Sequence, residues 1–162
     1  MFILDVQGLQ FKDSDFVCKE IAILNKATGQ LYHHFINLPI PSKWLNENFR
    51  RQVQWNTQNL HGLDWDSFNF SFLPLENITN FIQEIVQNNT VFVKGFNKKV
   101  WLCNLINNHI VDMDSLGCPN FKKLKTVLFP NSLHCNTHSI NNLFCTRENV
   151  FLLNNWFVNK ID

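Results

Sequence analysis

Apolar positions along the chain follow two periods, and the change from one to the other divides it. Through the first third the period is two. Residues 2–6 form an apolar run that ends on Asp5 and Gln7, and residues 16–24 place Val17, Ile21 and Ile23 on one alternating face. Residues 31–36 follow the turn formers Thr28 and Gly29. These patterns predict three strands, the last two joined as a hairpin. Pro39 and Pro41 then stop the pairing, because proline offers no N–H to a ladder.

Beyond the prolines the spacing becomes helical. Leu45, Phe49, Val53 and Leu60 predict a helix within residues 44–60. A loop rich in turn formers covers residues 61–67, and Pro74 opens a second helix over 75–86 with Ile78, Phe81, Ile82 and Ile85 as its stripe. The last part alternates. A β-branched run at 90–94 predicts a strand stopped by Gly95, and Asn97 is placed to cap a helix reaching residue 106, with Val100, Trp101 and Leu105 inward. A short strand follows at 110–113, closed by Asp114, and residues 121–128 and 139–158 predict the final helices.

Three strands, helices, strand, helix, strand, helices: this order calls for an α/β domain with a mixed sheet and helices packed on it. The RNase H-like fold has the same order. The 162 residues suit a single domain, 1–162, and 45% hydrophobic with 17% charged residues describes a globular chain. The opening carries a charge too early for a signal peptide, and no apolar run is long enough to span a bilayer. The expectation is a cytoplasmic or nuclear protein with no membrane partner. In that setting five cysteines are better read as free thiols or metal ligands than as a disulfide framework.

The densest chemistry lies near the C-terminus. Cys135 and His138, three apart on a turn, can face one ion, and Cys145 can reach it from a helix beginning at Ser139. Zn2+ prefers four soft or borderline donors in a tetrahedron, so these three supply most of a site. A buried cysteine pair with a surface histidine is the plainer alternative.

The stretch Cys135-x2-His138-x6-Cys145, with Leu143-Phe144 before its last cysteine, resembles the zinc-binding segment of the Maelstrom domain. Glu20-Ile-Ala-Ile-Leu24 and Tyr32 to Pro39 are similar to that family's early strands. Val91-Phe-Val-Lys94-Gly95 and Val100-Trp-Leu-Cys103 resemble its central strand and helix. The resemblance implies a DEDDh-exonuclease-like fold and a structural zinc held by a Glu-Cys-His-Cys set, carried here by Glu20, Cys135, His138 and Cys145. Cys118 is a rival fourth ligand, since thiolates are common in structural zinc sites. His134 is a weaker one. The family acts in piRNA-mediated transposon silencing, which implies single-stranded RNA or silencing-pathway proteins as partners. Metal-independent cleavage of single-stranded RNA has been attributed to some members.

Two-metal nucleases of this fold need carboxylates to draw two Mg2+ together. The first strand here reads Asp5-Val6-Gln7, with an amide where those enzymes place a glutamate. The start of the helix after the central strand offers Lys98 and Lys99 where an aspartate is needed, and five residues beyond His138 stands Leu143. Asp5 alone remains, and an aspartate ending a strand is readily a turn residue. No catalytic residue is therefore assigned, and a divergent nuclease or a protein-only interaction module are the alternatives to a noncatalytic RNA-binding domain. A net charge of +1 forces no broad basic face, so phosphate contacts would come from local patches, with Lys94, Lys98, Lys99, Arg50 and Arg51 as the candidates and Lys122, Lys123 and Lys125 as a further cluster. Trp55, His61 and Trp65 around the central loop are expected to anchor it by packing.

Overall fold

The axis of the fold is a nine-residue strand, β1 (Phe2–Gln10). The computed structural model describes residues 1–11, 16–128, 133, 135–138 and 144–161. On one side β1 pairs antiparallel with β2 (Phe16–Asn25), which pairs antiparallel with β3 (Leu31–Asn37). On the other side it pairs parallel with β5 (Val91–Val93), itself parallel to β6 (Ile110–Asp112). A two-residue strand, β4 (Leu73–Pro74), lies parallel to β3 at the far edge. The six-stranded mixed sheet runs β4-β3-β2-β1-β5-β6.

Helices cover both faces, so the central strands bury apolar side chains on both sides. Leu4, Val6, Ile21 and Ile23 pack with Ile78, Ile82 and Val86 of α2 (Ile78–Val86) and Leu102 of α3 (Phe96–Leu105). Ile3, Ala22 and Leu24 pack with Leu124 of α4 (Phe121–Leu128) and Val150, Leu152 and Leu153 of α5 (Thr146–Ile161). Fully buried side chains such as Ile82 and Leu102 each contribute about 1.5–3 kcal/mol.

A β-bulge interrupts the central pair. The register passes from Gln7 opposite Glu20 to Gly8 opposite Cys18, leaving Lys19 as the extra residue. The strands approach so closely there that a Cβ on Gly8 would lie 1.9 Å from the Val17 carbonyl oxygen. Lys19 is buried, and its ammonium donates to the carbonyls of Ile36 and Trp65 at 3.2 Å each and to Ser67 Oγ at 3.4 Å. The bulge thus fastens the central loop to the sheet. Burial lowers the Lys19 pKa to about 8, against the pull of Asp64 and Asp66.

Several boundaries differ from those the periodicity implies. The first helix, α1 (Glu47–Asn56), starts where the Asn46 side chain accepts the Phe49 N–H at 2.9 Å, and it passes into a π-helical turn at Thr57–His61 that ends on Gly62. Pro74 belongs to β4; a 3-10 turn at Leu75–Asn77 precedes α2. Gly95, with φ of 109°, stands at the N-terminal border of α3 in place of Asn97, and Leu102 rather than the exposed Val100 faces inward. The last helix begins at Thr146, not Ser139. Residues 139–143 lie outside the described ones, but Phe144 and Cys145 are not helical, and the Cys145 carbonyl accepts the Asn149 N–H at 3.0 Å. Among the described residues no helix is long and apolar enough to cross a membrane.

Candidate metal centre

Glu20 follows the bulge directly, and its carboxylate is fully buried. Cys135 and His138 come from a turn, and Cys145 from the residue before α5. One donor atom from each of these four residues lies within 4.8 Å of all the others. Glu20 Oε1 is 4.0 Å from Cys135 Sγ and 3.9 Å from Cys145 Sγ, and Oε2 is 3.0 Å from His138 Nε2. The Cys135 N–H donates to Cys145 Sγ at 3.4 Å, which fixes the turn against the helix start.

Outer contacts orient these donors. His138 Nδ1 donates to the His61 carbonyl at 2.5 Å, so its Nε2 is turned toward the centre. His33 Nε2 donates to Glu20 Oε1 at 2.7 Å, and the Thr146 N–H donates to Oε2 at 3.3 Å. Burial pushes the Glu20 carboxyl up, but the hydrogen bonds from His138 and His33 outweigh it and bring it down to about 2. Cys135 is pushed down because Cys145 donates to its sulfur, and that shared proton pushes Cys145 up. His138 rises to about 10, since Cys135 and Glu20 outweigh its burial. The Glu20 carboxylate and the Cys135 sulfur thus lie together in a buried centre, with the His138 ring as the cationic group that faces them.

The donor set fits a metal. Around a tetrahedral ion, with sulfur at about 2.3 Å and nitrogen or oxygen at about 2.0–2.1 Å, ligand atoms stand about 3.3–3.8 Å apart. The separations of 3.0, 3.9 and 4.0 Å bracket that range. Two sulfurs, one imidazole and one carboxylate suit a borderline-soft divalent ion. No family model and no curated protein matches the chain.

Cys118 lies elsewhere. It packs with Ile3, Leu124 and Val150, its thiol donates to the Pro119 carbonyl at 3.6 Å, and burial raises it to about 11. Glu20, not Cys118, completes the cluster. His134 lies outside the described residues. Sequence reasoning missed the supporting roles of His33 and His61. The hairpin register carried a signal for His33: Glu20 sits opposite Phe35, so His33 shares its face one pleat away. Its neighbour His34 packs edge-on against Phe81. His61 and Trp65 are buried as expected, whereas Trp55 is exposed.

On the same face of the sheet, in the neighbouring strand, a second buried charge is balanced differently. Asp5 is not a turn residue; it sits inside β1 and is fully buried. Its carboxylate receives Lys98 Nζ at 2.5 Å, Asn149 Nδ2 at 2.8 Å and Gln7 Nε2 at 3.3 Å. Its partners are one ammonium and two amides. Asp112 Oδ1 instead accepts the Gly95 and Asp114 N–H groups, and Asp114 pairs with Lys94. Lys94 also donates to the Cys118 carbonyl at 3.0 Å. Lys94 and Lys98 are therefore engaged within the fold. Lys99 is half-buried on α3, and Arg50 and Arg51 are exposed on α1, with Arg51 2.5 Å from Glu47.

Proposed function

We propose that this chain is a noncatalytic domain of the RNase H-like fold, held by a structural zinc ion, that works by binding. The order and directions of its strands agree with that fold, and the Glu-Cys-His-Cys set agrees with the Maelstrom resemblance. Glu20, Cys135, His138 and Cys145 would hold the zinc, tying β2 to the turn at 135–138 and to the start of α5. The observation that carries the noncatalytic reading is Lys98 on Asp5. Two-metal hydrolysis requires several carboxylates around two divalent ions. Here a half-buried ammonium stands 2.5 Å from the only carboxylate of β1 and repels any cation approaching it.

In this reading the domain serves small-RNA or transposon silencing by holding single-stranded RNA, through Lys99, Arg50 and Arg51, or by bridging proteins. The internal engagement of Lys94 and Lys98 favours the bridging role. Incubating zinc-loaded protein with labelled single-stranded RNA, with and without Mg2+ or Mn2+, tests the reading on denaturing and native gels. Intact RNA under both conditions is expected. Shortening that depends on Mg2+ or Mn2+ refutes it. A native shift that fades steeply with salt assigns the binding to RNA; no shift assigns it to protein.

A further inference from the structure

Two cavities, of about 420 Å3 and 350 Å3, share Leu38, Pro39 and Phe68 in their walls and together form one groove. The loops that build it are firmly held. Trp65 Nε1 donates to the Ile40 carbonyl at 2.8 Å, Asp66 accepts both the N–H and the hydroxyl of Ser42, and Asn37 and Asn69 exchange hydrogen bonds at 2.8 and 3.3 Å. Lys19 anchors the same loop from inside. On this fixed frame Phe68 is 66% exposed and Phe70 is 96% exposed, with their rings 5.3 Å apart. A rigid loop that presents two aromatic rings to water is preorganised for contact.

Charge decides what the contact is. The groove walls contain one cation, Lys43, and two acids, Asp66 and Glu76. Surfaces that hold single-stranded nucleic acid combine stacking rings with a positive groove, and this one is not positive. Pro74 in β4 has no N–H to offer, so a ligand is gripped by its side chains rather than by strand addition. We propose that the groove docks an extended peptide of a partner protein, seating two apolar side chains on either side of Phe68 and turning a basic residue toward Asp66 or Glu76. This rests on the reading that the domain works by binding.

The test is selection of a random twelve-residue phage library on immobilised zinc-loaded domain, followed by fluorescence anisotropy with the enriched peptides. The expected peptides pair two apolar residues with a Lys or Arg. Phe68→Ala and Phe70→Ala each weaken them about tenfold or more, the size of a central interface truncation. Glu76→Gln weakens them only while the basic residue is present. Thermal melting and zinc content confirm that these variants stay folded, and Ile40→Ser supplies an independent change in the same wall. Equal binding by both Phe variants overturns the proposal, as does a selection that enriches nothing. Two other results also overturn it. One is tight oligouridine binding that Phe70→Ala abolishes; the other is a dimer in sedimentation that dissociates in Phe70→Ala. Metal-dependent RNA cleavage by the same protein would sink the noncatalytic reading alone, so the two failures are told apart.

Discussion

Replacing Lys98 with methionine removes the only cation bound to the Asp5 carboxylate among the described residues. At the observed 2.5 Å, two unit charges attract by about 7 kcal/mol in an effective dielectric near 20. Desolvation of both groups offsets much of that, and the Lys98 side chain keeps 21% exposure, which screens the pair. Removing one member of a buried pair still costs about 3–5 kcal/mol, because the other charge is stranded. Asn149 and Gln7 continue to donate to Asp5, which places the loss at the lower end, about 3 kcal/mol, or about 6–12 °C in Tm. Asp5→Asn alone should cost less, since the freed ammonium can reach solvent. Combining Asp5→Asn with Lys98→Met should recover most of the single-variant loss. Urea denaturation of the zinc-saturated protein at pH 7, followed by circular dichroism, measures all four species. A Lys98→Met loss below about 0.5 kcal/mol, or a double variant less stable than Lys98→Met, would refute the buried-pair account.

Cys135→Ser and Cys145→Ser should each lose the bound zinc, read by a chromophoric chelator, and lower Tm by at least about 10 °C, as EDTA should in the unsubstituted protein. Unchanged metal content in both would contradict the four-residue site. Cys118→Ala should keep its full zinc equivalent and show only the destabilisation of a small core truncation in the same titration. Lys19 supplies a pH prediction: its folded pKa of about 8 lies below the ordinary 10.5, so the unfolded chain binds more protons between those values. The stability of the unsubstituted protein relative to Lys19→Met should therefore rise from pH 8 to 10, and a fall over that interval in urea titrations would count against the burial account.

Much of the sheet was readable in advance because β1, β2 and β3 are local patterns, with a hairpin turn between the last two. The Cys-His-Cys segment was readable for the same reason, being compressed into eleven residues. What escaped is non-local. Asp5 looked like the end of a strand because its partners, Lys98 and Asn149, lie 93 and 144 residues away. Lys19 carried no sign of burial, since the bulge that turns it inward depends on Gly8 meeting Val17 across two strands. The boundary of the last helix was misplaced because Cys145 caps its start, its carbonyl taking the first helical hydrogen bond from Asn149 and its sulfur the Cys135 N–H, which spacing alone does not reveal. Two residues in β4 are too few for any periodic signal.

A dissociable ion occupies a site only as its free concentration allows. Lys98 is tethered to the same chain as Asp5, so the neutralising charge can never be diluted away, exchanged or removed by a chelator. If zinc is held as proposed, chelation would act at Glu20, Cys135, His138 and Cys145, whereas Lys98 keeps the charge inside β1 balanced at any magnesium level.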